Sequence, residues 1–258
     1  MAKKVPLTKF PDAATVTYSR AIQKMIDALA KHTMTSFDKY IAPKLKARQD
    51  ALYIEDGIFD GLKRFFNSVR VKMEQLVVSA TVEKSAVEFT HNVNRFNRHN
   101  VEQQMAVKNI DLVATEPWVK DFVAEKVKDN VGYIKTIHSD YFDGIENIVS
   151  NGIANGASLK SMREQLVRQA DISKSKAQFI AVDQAGSMLG QMTAQRHQRL
   201  GIEKFIWDTS GDERVRASHR KLDGKVFSYD APPEVNGRIV LPGEDYRCRC
   251  IAMPVFEQ

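Results

Sequence analysis

Gly201-Ile-Glu-Lys-Phe205-Ile-Trp207-Asp-Thr-Ser210-Gly211-Asp212 is where the chain changes character. Before this stretch, apolar residues recur at three- and four-residue intervals. After it, short β-branched and aromatic runs alternate with turn residues. Phe205-Ile-Trp207 reads as a strand and Ser210-Gly211-Asp212 as a turn, with further short strands at Lys225-Val-Phe227, Arg238-Ile-Val240 and Cys250-Ile-Ala-Met253. Pro232-Pro233 and Pro242-Gly243 mark bends between them. The expected fold is therefore α+β, with a mainly helical region over residues 1–200 and a small strand-and-loop-rich module over 201–258. Secondary breaks are expected near 115 and 155. So small a module buries little core by itself, so it must pack on the preceding helix or be braced by a metal ion.

The helical region divides at its own punctuation. Tyr18, Ile22, Met25, Ile26 and Leu29 share one helical face in a segment running from Val16 to about Ala51, and Pro43 splits that segment in two. From Phe65 to Leu112, Val69, Met73, Leu76 and Ala80 continue the rhythm, predicting one long helix or a pair. Glu116-Pro117-Trp118 starts a new helix, because proline is accommodated in a first turn where its missing N–H is not needed. Ile134, Ile137, Tyr141, Ile145 and Ile148 form its apolar stripe, a core or helix-partner surface. Residues 151–158 read as a loop, with Ser158 capping a short helix over Leu159 to about Gln169. Ser173 is placed to cap a further helix reaching Leu200, which Gly201 closes in a left-handed conformation. His91, His99 and His138 read as surface residues.

Composition excludes several classes. A hydrophobic share of 43% and a charged share of 27% are ordinary for a globular protein. No apolar run approaches the roughly 20 residues of a membrane helix, and Met1-Ala-Lys-Lys-Val-Pro lacks the core of a signal peptide. A cytoplasmic origin is expected. The net charge is +6, and up to Lys204 there are 30 basic and 23 acidic residues, whereas Phe205 to Gln258 holds 8 and 9. The basic surplus thus lies on the helical region, where it could meet phosphates without sequence preference, and no dense Lys/Arg block marks specific nucleic-acid recognition. Cys248 and Cys250 are the only cysteines, and a disulfide across one intervening residue would be strained. Reduced thiols, free or on a metal, fit better.

Two unusual segments then carry a resemblance. Trp207-Asp-Thr209-Ser-Gly-Asp212-Glu-Arg214-Val215-Arg216-Ala-Ser-His219-Arg-Lys-Leu222-Asp223-Gly224-Lys-Val-Phe227 and Cys248-Arg249-Cys250-Ile-Ala-Met-Pro254 occur in order. The pair resembles the head-morphogenesis domain of phage Mu F-like proteins, densely over about a fifth of the chain and more loosely back through the helix from Ser173. Where that family often shows Ala-Arg-Thr-Glu, this chain has Ala181-Val182-Asp183-Gln184. The resemblance implies a minor structural protein of a tailed-phage head, present in a few copies per virion. Its implied partners are the portal or major capsid protein, near the portal vertex, with packaged DNA as a non-specific contact and a role in head assembly or DNA delivery.

Many proteins of the family carry Cys-x-x-Cys where this chain has Arg216-Ala-Ser-His219, and a histidine at the position of Asp245. His219, Asp245, Cys248 and Cys250 are then candidates for a tetrahedral zinc site, each offering an N, O or S donor that zinc accepts. The alternative is two thiols simply buried. Asp212 and Asp223-Gly224 read as turn formers, Arg214 and Arg216 as partners of Asp208, Asp212 or Glu213, and Trp207 as a core anchor. A different class remains open: a metal-dependent hydrolase, nuclease-like, centred on His219, Asp245, Cys248 and Cys250. His219 with Asp223, or with Cys248, would serve as general base or nucleophile pair. No phosphate loop or nucleophile elbow accompanies them, so no enzyme activity is expected.

Overall fold

The computed structural model describes residues 5–49, 55–112 and 115–256. Its helices are α1 (Asp12–Tyr40), α2 (Ala42–Gln49), α3 (Glu55–Val77), α4 (Ala80–Met105), α5 (Pro117–Ala154), α6 (Leu159–Arg199) and the single turn α7 (Ala217–Arg220). The strands are β1 (Lys204–Asp208), β2 (Val226–Ser228), β3 (Glu234–Val235), β4 (Arg238–Ile239) and β5 (Ile251–Val255). The protein is α+β, as expected from the change of pattern near residue 200.

Most helix boundaries follow from the punctuation. α1 ends and α2 begins around Ile41, with Pro43 in the first turn of α2; Ala51 lies outside the described residues, as do Met1 to Lys4. The stretch expected as one helix or two is a pair, α3 and α4, broken at Val78-Ser79. Pro117 is the first residue of α5. Ser158 caps α6 by accepting a hydrogen bond from the Ser161 N–H at 3.2 Å, and Gly201 sits at φ +76°.

Three expectations are corrected. α5 runs on to Ala154, so the loop is shorter than the 151–158 predicted. Gly152 stays helical because the helices approach closely there: a Cβ on it would lie 2.6 Å from the Met162 sulfur. It is Gly156, at φ +67°, that ends the helix. Ser173 caps nothing, since α6 is continuous over 41 residues. The buried series Met162, Leu166, Ala170, Ser173 and Ala177 keeps one helical face through that point, and no glycine or proline interrupts it. His138 is buried, not at the surface. It lies one turn from Ile134 on the core stripe and bonds the Ile134 carbonyl through Nδ1 at 2.8 Å, and burial lowers its pKa.

The chain forms two compact units. One combines Tyr18–Ala86 with Asp129–Gln178 and is helical. Its core includes Ile22, Ile26, Leu29, Phe37, Phe65 and Val69, with Ile134, Ile137, Tyr141 and Ile145 from α5. Phe37 and Phe65 meet edge to face, centroids 6.2 Å apart.

The other unit gathers the stretch up to Thr17, Val87–Lys128 and Phe179–Gln258. Its centre is an antiparallel sheet in the order β2-β1-β5, with Phe205 opposite Pro254, Ile206 opposite Met253 and Trp207 opposite Ala252. Strand alternation divides the side chains between two faces. Phe205, Trp207 and Ala252 join Val101 and Met105 of α4, Ala194 of α6, Tyr229, Val235, Val240, Cys248 and Cys250 in one core. Ile206, Ile251 and Met253 pack with Leu189 of α6 and, at their edge, Phe10 and Phe96. Helices thus supply the apolar surface that the small module lacks.

One buried ionic network holds the entry to α5 in this unit. Arg196 of α6 donates to both carboxylate oxygens of Glu116, Nε at 2.8 Å and Nη2 at 2.9 Å. It also donates to Asn94 at 2.7 Å and to Asn97, while Arg98 adds a 2.8 Å bond to Glu116. Its guanidinium lies 5.6 Å from the centroid of the Trp118 ring. Burial alone would raise the Glu116 pKa, but the bonds and charges of Arg196 and Arg98 outweigh it and hold the carboxyl below its usual value.

Candidate functional site

The site is assembled from the two motif segments, and α6 fixes their approach. Asp183, Gly186 and Gly190 lie on α6 at intervals of three and four, hence on one face. The loop carrying Pro242 to Cys248 rests on that face: a Cβ at Gly186 would lie 2.5 Å from the Cys248 carbonyl oxygen and 3.0 Å from that of Gly243, and one at Gly190 would collide with the Pro242 carbonyl oxygen. Gly243 itself is at φ +97°, and the left-handed Arg247, at φ +50°, donates its N–H to Asp183 Oδ1 at 3.0 Å. The sharp turn over 245–248 closes through Cys248 N–H to the Asp245 carbonyl at 2.8 Å. The signal for this seat was present as Gly186-x-x-x-Gly190 in an otherwise ordinary helix, but it goes unread without the loop that fills it.

The other segment is shaped by its aspartates and glycines. Asp212 accepts the Arg214 N–H at 3.0 Å, and Asp223 accepts both the N–H and the hydroxyl of Thr209 at 2.9 Å. Gly211 and Gly224 adopt positive φ, as the turn reading required. After that turn the chain makes α7, which carries His219 inward. Trp207, fully buried, meets the His219 ring edge to face at 5.5 Å and is the core anchor expected.

His219, Cys248 and Cys250 converge. His219 Nδ1 is 3.4 Å from the Sγ of each cysteine, the three donor atoms lie within 4.8 Å of one another, and the residues are only 2%, 4% and 5% exposed. Asp245 stands on the opposite side of the ring, its Oδ2 3.0 Å from His219 Nε2. Arg216 bonds that same oxygen at 3.1 Å and the Tyr246 carbonyl at 2.5 Å, while the Tyr246 N–H bonds Asp245 Oδ1 at 2.9 Å. Of the two arginines expected to pair within their own segment, Arg214 does so with Asp212, at 3.4 Å. Arg216 instead reaches the second segment, and Arg249 reaches back to Asp212 at 2.5 Å. His219 does not pair with Asp223, whose carboxylate is engaged by Thr209.

The two buried sulfurs shift one another's pKa in opposite directions. A hydrogen bond from Cys250 and the contact with His219, against the cost of burial, draw the Cys248 thiol down to about 5. Cys250, facing Cys248 and itself buried, is pushed well up. The contact with Cys248, and then that with Asp245, outweigh burial and raise the His219 pKa. Chemically the arrangement offers two soft donors and one imidazole nitrogen, with the other imidazole nitrogen held by a carboxylate.

The segments that build this site are also where the chain is similar to known proteins. Residues 143–253, which include all of β1 to β4, most of β5 and the four candidate residues, match the family described as Phage Mu protein F like protein. Among its relatives is an uncharacterized protein of Haemophilus influenzae, 32% identical over 61% of this chain and 35% of its own length. An uncharacterized protein of Methanocaldococcus jannaschii is 32% identical over 46% of this chain and 18% of its own length. A minor head protein of Bacillus phage SPP1 is 24% identical over 46% of this chain and 42% of its own length. The chain thus spans less than half of each of these relatives. No solved structure matches it.

Proposed function

We propose that this protein is a structural minor head protein of a tailed bacteriophage, associated with the portal or inner capsid and acting in head assembly or DNA packaging and delivery. The observation that carries this reading is the Mu F-like match over residues 143–253 together with the similarity to the minor head protein of Bacillus phage SPP1. The build of the module supports it. A three-stranded sheet whose apolar face is seated on α4 and α6 is suited to presenting a surface to a portal or capsid subunit. The basic surplus of the helical region is where non-specific contact with packaged DNA belongs. Among the described residues no helix is long and apolar enough to cross a membrane.

Mass spectrometry of purified virions, with electron microscopy of particles made without the gene, tests this. The expected result is the chain in the head fraction and defective or empty heads in its absence. Normal, infectious heads together with no chain in the virion overturn the proposal.

One observation favours a metal-dependent hydrolase instead: the convergence of the His219, Cys248 and Cys250 donor atoms, with the Asp245 carboxylate on the far side of the imidazole. The burial of all three donor residues around Nδ1 weighs against it. Nuclease turnover by the purified protein that disappears in His219→Ala would decide for the hydrolase; no turnover in either decides for the structural role.

A further inference from the structure

We infer that His219 Nδ1, Cys248 Sγ and Cys250 Sγ form a three-ligand zinc site, with Asp245 as an outer carboxylate that orients the histidine and is not itself a ligand. The inference rests on geometry and on donor chemistry.

A single nitrogen lone pair can accept one thiol proton along its axis, yet His219 Nδ1 is equidistant, at 3.4 Å, from two sulfurs. A cation between the three atoms explains the symmetry. Zinc bound to sulfur at about 2.3 Å and to nitrogen at about 2.05 Å, with tetrahedral angles, separates S and N by roughly 3.5 Å. The observed distance is within a few tenths of an ångström of that value. The three atoms therefore already stand close to where a metal requires them, and small movements complete the site.

The surroundings match a metal rather than a bare thiol pair. Asp245 Oδ2 accepts from Nε2, which places the ring proton there and leaves the Nδ1 lone pair facing the sulfurs. Arg216 and the Tyr246 N–H hold the carboxylate in turn, the outer-shell arrangement that metal-bound histidines use. Sulfur is supported as thiolate too. The Cys250 N–H donates to Cys248 Sγ at 3.3 Å, and the buried Trp207 indole N–H has no acceptor in regular hydrogen-bonding geometry. Two thiolates, a neutral imidazole and a divalent cation sum to zero charge, whereas two buried thiolates without a cation would be costly. The fourth position is left to a non-protein ligand. The metal would tie α7 to the loop before β5, segments that are 29 and 31 residues apart and otherwise joined by a few polar contacts.

The proposal stands or falls independently of the phage assignment. The full-length protein, purified under reducing conditions, is measured for zinc by elemental analysis and then exchanged with cobalt(II). One metal per chain is expected, with the near-ultraviolet charge-transfer band of thiolate-bound cobalt. Cys248→Ser and Cys250→Ser each lose the metal or weaken that band. Asp245→Asn keeps both the stoichiometry and the two-thiolate band but binds roughly 10- to 100-fold more weakly. A folded, reduced wild-type protein that takes up neither zinc nor cobalt overturns the site. An Asp245→Asn protein that loses metal as completely as the cysteine variants overturns the outer role of Asp245.

Discussion

Gly186→Ala puts the seating of the loop on α6 to a direct test. Alanine is the better helix former by about 1 kcal/mol, so at an open helical position the change should stabilise. Gly132 in α5 is such a position, exposed and with nothing within 4 Å of an added Cβ. At Gly186 the same methyl would stand 2.5 Å from the Cys248 carbonyl oxygen and 3.0 Å from that of Gly243. Both obstacles are backbone and cannot swing aside, so the loop must retreat by most of an ångström. Overpacking of this kind costs about 1–3 kcal/mol. The propensity gain is common to both substitutions, so the overpacking cost is the expected gap between them: Gly132→Ala raises the urea midpoint, and Gly186→Ala lies below it by about 1–3 kcal/mol. The change should also perturb the near-ultraviolet circular dichroism of Trp207, whose neighbour His219 contacts the displaced cysteine. Equal stabilisation by the two substitutions would refute the close approach of loop and helix.

Three further outcomes follow from the buried polar groups. Arg196→Met leaves the Glu116 carboxylate, 8% exposed, with Arg98 as its remaining cationic partner, and should cost about 3–5 kcal/mol by chemical denaturation; a loss under 1 kcal/mol would show the network to be dispensable. Because the Glu116 pKa is depressed in the fold, its contribution is present above the unfolded value near 4.5 and is lost as pH falls through the folded one, so Glu116→Gln should flatten the acid limb of the stability profile. His197 is pushed down to about 3 by burial between Tyr229 and Gln104. Its depressed value means the unfolded chain binds the proton first, so stability is full above pH 6.5 and declines below it, by about 1.4 kcal/mol per pH unit. Wild type should therefore lose about 2 kcal/mol more than His197→Gln between pH 7 and pH 5; parallel losses would place His197 in contact with solvent.

The sequence alone determined the class of fold and the identity of the candidate ligands. The shift from three-and-four spacing to short strands after residue 200 depends on local side-chain periodicity, and Pro43, Pro117, Ser158 and Gly201 punctuate the chain through backbone geometry that each residue carries with it. The paired motif likewise carried the resemblance to the Mu F-like family, and the two segments offered His219, Asp245, Cys248 and Cys250 together as candidate donors. Tertiary structure decided what no local signal encodes. Ser173 has the chemistry of a cap, yet a buried stripe on both sides of it holds α6 continuous. His138 looks polar in sequence, yet it stands one turn from Ile134 and is drawn into the core. Arg216 could have paired with any nearby acid, and only the return of the chain after some thirty residues put Asp245 beside it. Asp245 and His219 were both legible as donors. Their placement, Asp245 at Nε2 and the two sulfurs at Nδ1, appears only once the chain has returned and the loop over 242–248 has settled against α6 at Gly186 and Gly190, where missing side chains leave it room.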